Sequence, residues 1–242
     1  MKRLIFLFLI IPLLVFAETA DDIIKKVDQN QLFTTQKYKI KMIIEKGSRK
    51  LIKSFFGYGQ KDGEKAFMEF TNREDMGVKY LKLDDELWIY FPDADDIMKI
   101  SGHMLKQGLM GSDISYEDLL ETEEMEKKYK STLLKSESVS GKDCYVIDLN
   151  ARTADASYER QILFVDKEKY VPLKIEMYAR GGRLLKNMLL SDIRKMGSRF
   201  VPWKIEIQDK RRRNSKTILI FKEISYDINV PDNIFTRRSL KK

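Results

Sequence analysis

The sequence predicts a mainly β protein, an α+β chain whose strands form an antiparallel meander closing on itself with only short helices added. Two observations predict it. Apolar residues recur at period two over most of the length, and Gly-, Asn- and Asp-containing pairs separate these runs at hairpin spacing. No Pro/Gly-rich linker or shift in composition divides the chain, and the turn spacing is too irregular for a repeat.

The first residues read as an export leader. Lys2 and Arg3 precede an apolar run from Leu4 to Phe16, and Val15-Phe16-Ala17 offers a cleavage site, so residues 1–17 are expected to leave as a signal peptide cut after Ala17. The run falls short of the roughly 20 residues a helix needs to span a bilayer. Glu18, not cysteine, would then lead the mature chain, which argues against a lipoprotein. Residues 18–242 are expected to form a single domain. Losing Lys2 and Arg3 lowers the formal net charge from +8 to +6. One cysteine, Cys144, makes no internal disulfide, and a chain of this length buries a core without staples.

Thr19 with Asp22 forms a capping-box pattern, and Ile23, Ile24 and Val27 share a stripe, predicting a helix from about Ala20 to Asn30. Tyr38, Ile40, Met42 and Ile44 then alternate with lysines as a half-buried strand. Gly47-Ser48 turns the chain into Leu51–Tyr58, and Asp62-Gly63 turns it into Ala66–Phe70. Val78–Leu83 passes through Asp84-Asp85 to Leu87–Phe91, a run apolar on both faces, followed by an acidic turn and Ile97–Ile100. That turn lacks the glycine and glutamate of a calcium loop and reads as solvated. Seven more strands follow: Tyr129–Lys135, Cys144–Leu149, Arg160–Val165, Val171–Tyr178, Leu184–Ile193, Phe200–Ile207 and Thr217–Ile224. The tail offers one apolar pair, Ile234 and Phe235, before it ends in charge.

Between the two groups of strands lies Lys99–Leu120, rich in methionine and punctuated by Gly102, Gly108 and Gly111. It reads either as a movable cover or as an ordinary crossover between two halves of a sheet. Ser115 and Asp118 form a second capping box, predicting a helix over Tyr116–Leu120. Gly102 to Gly111 is the part expected to move. Apolar residues on both parities of several strands fit either contacts with the helical pieces or the walls of a lumen.

No catalytic set is apparent. His103 is the only histidine, Gly111-Ser112-Asp113 lacks the nucleophile-elbow spacing, and no phosphate-binding glycine motif appears. An enzyme is therefore not expected, nor a metal, nor a cofactor. The cluster Arg211, Arg212, Arg213 at a hairpin tip is a candidate docking patch for anionic headgroups or an acidic partner, with a solvated turn as the alternative. Nucleic acid is an improbable partner for an exported chain.

Three blocks carry a resemblance: Gly77-Val78-Lys79-Tyr80-Leu81-Lys82-Leu83-Asp84-Asp85-Glu86-Leu87-Trp88-Ile89-Tyr90-Phe91-Pro92, Met110-Gly111-Ser112-Asp113-Ile114-Ser115-Tyr116-Glu117-Asp118-Leu119, and Val165-Asp166-Lys167-Glu168-Lys169-Tyr170-Val171-Pro172-Leu173-Lys174. Together they resemble the outer-membrane lipoprotein-sorting protein family, in its LolA-like branch, over nearly the whole mature chain. The resemblance implies a strongly curved antiparallel sheet forming an incomplete, half-open barrel, covered by short helices around an apolar cavity. It also implies a monomeric periplasmic carrier of lipid acyl chains or lipoprotein, in transient contact with a membrane surface, between an inner-membrane transporter and an outer-membrane acceptor. A non-catalytic binding or sensing subunit of an envelope complex is the alternative. On this reading Phe56, Tyr58, Met68, Phe70, Trp88 and Tyr90 from the strands contribute to the cavity, and Met104, Leu105, Leu109 and Met110 from the central segment to the cavity or its cover.

Overall fold

The computed structural model describes residues 18–121, 123–154 and 156–242; the expected leader lies outside them. Its helices are α1 (Ala20–Gln31), α2 (Tyr116–Leu120) and α3 (Met125–Lys128). The first strands are β1 (Thr35–Lys46), β2 (Arg49–Gln60), β3 (Lys65–Phe70), β4 (Lys79–Leu83), β5 (Glu86–Phe91) and β6 (Asp96–Ile100). The second group is β7 (Tyr129–Val139), β8 (Lys142–Ala151), β9 (Arg160–Asp166), β10 (Pro172–Tyr178), β11 (Leu184–Met196), β12 (Arg199–Asp209) and β13 (Ser215–Tyr226).

All of them form one curved antiparallel sheet, ordered β6-β5-β4-β3-β2-β1-β13-β12-β11-β10-β9-β8-β7. Two meanders therefore meet along β1 and β13, where Gln36 faces Tyr226 and Lys46 faces Ser215. The sheet does not close on itself, which corrects the closed meander expected from strand spacing. Its two edges, β6 and β7, are joined in sequence by residues 101–128. The central segment thus has to cross from one free edge to the other, and it does so with two 3-10 turns (Gly102–Lys106 and Leu109–Gly111), α2 and α3.

Both predicted capping boxes are present. Thr19 Oγ1 accepts from Asp22 N at 3.2 Å, and Ser115 Oγ accepts from Asp118 N at 3.4 Å while Asp118 Oδ2 accepts from Ser115 N at 2.7 Å. Each satisfies backbone donors that the first helical turn leaves unpaired. The Asp62-Gly63 hairpin joins β2 to β3 as expected, through a 3-10 turn over Lys61–Gly63 with Lys61 and Asp62 at positive φ.

The inner face of the sheet carries α1 and the central segment. Over the β1–β6 half it is a packed core of Ile40, Met42, Ile44, Phe55, Phe70, Tyr80, Leu87 and Ile89. Over β7–β9 it is covered by Ile23, Ile24 and Val27 of α1. The outer face of the first half is not solvated either. The chain after β13 folds back across it, packing Val230, Phe235 and Leu240 on Phe67, Leu81 and Trp88. That accounts for the doubly apolar run in β5: Leu87 and Ile89 face inward, and Trp88 and Tyr90 lie under the tail.

Candidate functional site: an apolar cavity under a latched cover

The inner face of β10–β13 is not filled. A cavity of about 580 Å³ lies there, within the roughly 300–1,000 Å³ range of small-molecule sites. Ile175, Met177, Met188, Leu190, Ile205 and Leu219 form its floor. Val27, Leu32 and Phe33, from α1 and the link after it, form one wall. Ile114, Leu119 and Met125 from the central segment form the roof. The hollow exists because α1 packs on β7–β9 and meets β12 only at its start, where Asn30 Oδ1 accepts from Phe200 N, while the Gly102–Gly111 stretch packs on the first half of the sheet.

Polar groups also enter the lining, from α1, from the central segment and from the strands. Lys186, only 2% exposed, projects from the same face of β11 as Met188 and Leu190 and pairs with Asp118 Oδ2. Its ammonium also donates to Ser115 Oγ at 3.1 Å. The second Asp118 oxygen accepts from the Tyr158 hydroxyl at 2.5 Å. Burial, reinforced by the adjacent Asp118 carboxylate, drives the Tyr158 hydroxyl well above its ordinary pKa, so the tyrosine stays a donor. At the far wall, burial raises the Asp28 carboxyl above its usual range, against the backbone N–H of Glu126, which donates to it at 3.1 Å.

A second polar set holds the preceding residues of the same segment. Asp113, fully buried, accepts from Ser215 Oγ at 2.9 Å, Thr217 Oγ1 at 2.7 Å and Asp209 N at 3.2 Å. Arg212 donates to the carbonyls of Gly111 at 3.2 Å and Ser112 at 2.5 Å. Gly108 is required here, because a Cβ at that position would lie 2.0 Å from the Ser112 carbonyl oxygen and 2.7 Å from the Arg212 guanidinium. On the other side, Lys82 donates to Gly63 O at 2.9 Å and Leu120 O at 3.3 Å, and burial lowers its pKa to about 8. The cover is thus packed on β1–β6 mainly through apolar side chains with the Lys82 tie beside them, and is fastened to β11–β13 by the buried polar groups around Asp113 and Lys186.

Of the ten residues expected in the cavity or its cover, Met104, Leu105, Leu109 and Met110 lie in the central segment that covers the sheet, and the six strand residues lie away from the cavity. Met68 and Phe70 belong to the packed inner core, with Met104, Leu105, Leu109 and Met110 of the central segment on it. Phe56, Tyr58, Trp88 and Tyr90 lie on the outer face beneath the tail. The placement of the strand residues has a register cause. In β2 the inward positions are Phe55, Gly57 and Gly59, and Gly57 is obligatory because its Cβ would lie 2.4 Å from the Tyr38 ring. The aromatic rings of Phe56 and Tyr58 are left to the outer face. Of the arginines, Arg211 is committed to Asp209, Arg212 to the cover, and Arg213 is exposed. The hydrogen bonds from Arg211 hold the Asp209 carboxyl below its usual range even though burial pushes it up. Lys186 and Asp113 carry the latch and were not singled out for it; the visible sign was a lysine at an inward parity of β11.

A family model described as "-like: Uncharacterized protein" matches residues 62–242, more than half of the chain. The chain belongs to that family. No curated protein matches it. Among solved structures, a DUF1329 family protein from Desulfovibrio piger superposes with a TM-score of 0.83 at 26% identity, covering 91% of this chain and 97% of that one. A putative outer membrane lipoprotein-sorting protein domain from Vibrio parahaemolyticus gives 0.81 at 22% identity, covering 92% and 98%. A LolA superfamily protein from Nitrosomonas europaea gives 0.75 at 21%, covering 92% and 100%. The fold is therefore the LolA-like half-barrel, as the motif resemblance implies. The Met110–Leu119 block that carried the resemblance includes Gly111, Ser112, Asp113, Ser115 and Asp118, all in the latch of the LolA-like cover.

Proposed function

We propose that this LolA-like protein is a non-catalytic periplasmic carrier that shelters the acyl chains of a lipid or lipoprotein on the way to the outer membrane. The observation that carries the reading is the unfilled apolar cavity beneath a cover held on that side by hydrogen bonds and one ion pair. Each methylene moved from water into such a space stabilises the complex by about 0.8 kcal/mol. A polar latch suits a cover that opens, because water can replace its hydrogen bonds once they separate. The Vibrio neighbour, whose name assigns it to lipoprotein sorting, supports the same class of cargo. An inner-membrane transporter as donor and an outer-membrane acceptor complete the proposed route.

The test is native mass spectrometry of the exported chain purified without detergent. A bound fatty-acyl species is expected, and its occupancy should fall in a Leu190→Trp variant whose indole intrudes on the cavity floor. A chain that emerges empty and takes up no fatty-acyl probe would sink the proposal. The alternative, a binding subunit of an envelope complex, is favoured by one feature: edge strand β7 leaves Leu133 and Leu134 exposed on an unpaired backbone.

A further inference from the structure

One end of the sheet combines exposed apolar side chains with a cluster of cations. There the β1–β2 turn at Gly47-Ser48 lies beside the β12–β13 turn at residues 210–214, tied to it by Gly47 N donating to Asn214 O at 2.8 Å. The β1–β2 hairpin overhangs its neighbour, since β3 pairs with β2 only from Phe55 onward. On this overhang Leu51 and Ile52 are 49% and 48% exposed. The ion pair of Lys53 with Asp75 brings the following loop alongside, with Met76 57% exposed. Lys46, Arg49 and Lys50 surround the first turn, and Lys210 and Arg213 stand on the second. Between the turns and the central segment runs a crevice lined by Lys46, Arg212, Arg213 and Gly108.

We propose that this end is a membrane-docking edge that seats on an anionic phospholipid bilayer. Leu51 and Ile52 enter the boundary between headgroups and acyl chains, while Lys46, Arg49, Lys50, Lys210 and Arg213 meet lipid phosphates. Geometry selects a bilayer over a protein partner. Leu51 pairs with Ile44 on the inner face of the hairpin and Ile52 with Ile43 on the outer face; Ile43 and Ile44 are buried, so the exposed apolar groups are the two of β2, projecting to opposite faces of the sheet's overhanging edge. A folded partner lying on one face would leave the other wet, whereas a bilayer takes both faces of the edge. The collar of cations matches the negative surface. The crevice also places the docked end next to the residues that Arg212 holds, so the cover lies at the membrane. The proposal rests on the carrier reading only for its purpose, and binding to the bilayer is measured apart from uptake.

The mature chain is co-sedimented with large vesicles of phosphatidylethanolamine and phosphatidylglycerol, and with vesicles of phosphatidylcholine alone. Binding to the anionic vesicles is expected, weakening with added salt, with little binding to the neutral ones. Leu51→Asp/Ile52→Asp should weaken it on the order of tenfold, and Arg49→Gln, Lys50→Gln and Arg213→Gln by about fivefold each. All five positions are solvent-facing, and melting temperature confirms that the variants fold. Uptake of a soluble fatty-acyl probe should be the same in these variants as in the wild type. Equal binding to both vesicle types, or variants that bind like the wild type, would overturn the docking edge whatever the probe does. A dimer that Leu51→Asp/Ile52→Asp dissociates, with no vesicle binding, would overturn it in favour of self-association. Tip-dependent vesicle binding without probe uptake would uphold the edge and count against the carrier.

Discussion

Lys186 holds its ammonium where only 2% of its surface meets water, beside Met188 and Leu190 on the cavity floor. Desolvating such a cation costs several kcal/mol, and the cost is offset only if the partner geometry is complete. Here the partners are in place: Asp118 pairs with the charge, Ser115 Oγ accepts a second hydrogen bond from the ammonium at 3.1 Å, and the Tyr158 hydroxyl donates to the remaining Asp118 oxygen. Removing one partner leaves the other charge stranded. Lys186→Met is therefore expected to lower the unfolding free energy by about 3 kcal/mol. Asp118→Asn keeps the helix cap but loses the charge. The pair Lys186→Met/Asp118→Asn should cost clearly less than the two single changes added together, because neither uncompensated charge then remains. Urea titration of the four proteins closes the cycle, and strict additivity would show that the ion pair contributes nothing of its own.

The central segment joins the two edges of the sheet and is held on both sides. Leu109, Tyr116 and their neighbours pack on the inner core, while Asp113 is held by Ser215, Thr217 and the Asp209 amide. Asp113→Ala strands two buried hydroxyls and an amide, each deprived of an acceptor at a cost of about 1–3 kcal/mol. Opening of the segment should become easier without loss of the rest. Hydrogen exchange is expected to quicken at the amides of residues 109–120 while those of β8 and β9 keep their protection. Uniform acceleration across the chain would mean that the segment has no local opening of its own. The sequence made the Ser115–Asp118 cap legible because a capping box is local, closed within four residues. The buried ties of Asp113 and Lys186 were not legible, because their partners lie about 70 to 100 positions away and only pairing of β11–β13 brings them close. The face of each strand was equally out of reach: period two says that alternate residues share a face, but the placement of Tyr38 over Gly57 decides which face is inner.

At the scale of the whole molecule the strand succession was readable, since each hairpin is fixed by neighbours in sequence. Whether the first and last strands of the meander pair with each other depends on curvature summed over the entire sheet, and here β1 meets β13 while β6 and β7 stay apart. The open sheet is therefore built from two unequal halves. One is filled by its own side chains and sealed outside by the tail; the other keeps a hollow of about 580 Å³. An apolar ligand in that hollow would add contacts the protein lacks by itself, and anything that binds only the native state raises its stability by mass action. At a hundredfold excess over its dissociation constant the gain is about 2.7 kcal/mol. For a chain of this size each kcal/mol moves the melting temperature by roughly 2–4 °C, so a saturating long-chain acyl probe should raise it by about 5–10 °C. A short-chain homologue should raise it less, in step with the methylenes lost. Leu190→Trp should weaken the response while leaving the unliganded melting temperature near that of the wild type, because the larger ring intrudes on space that is already empty. A shift that persists undiminished in Leu190→Trp would place the acyl chain outside this cavity, whereas its weakening there alone ties the stability of both halves to what the hollow one holds.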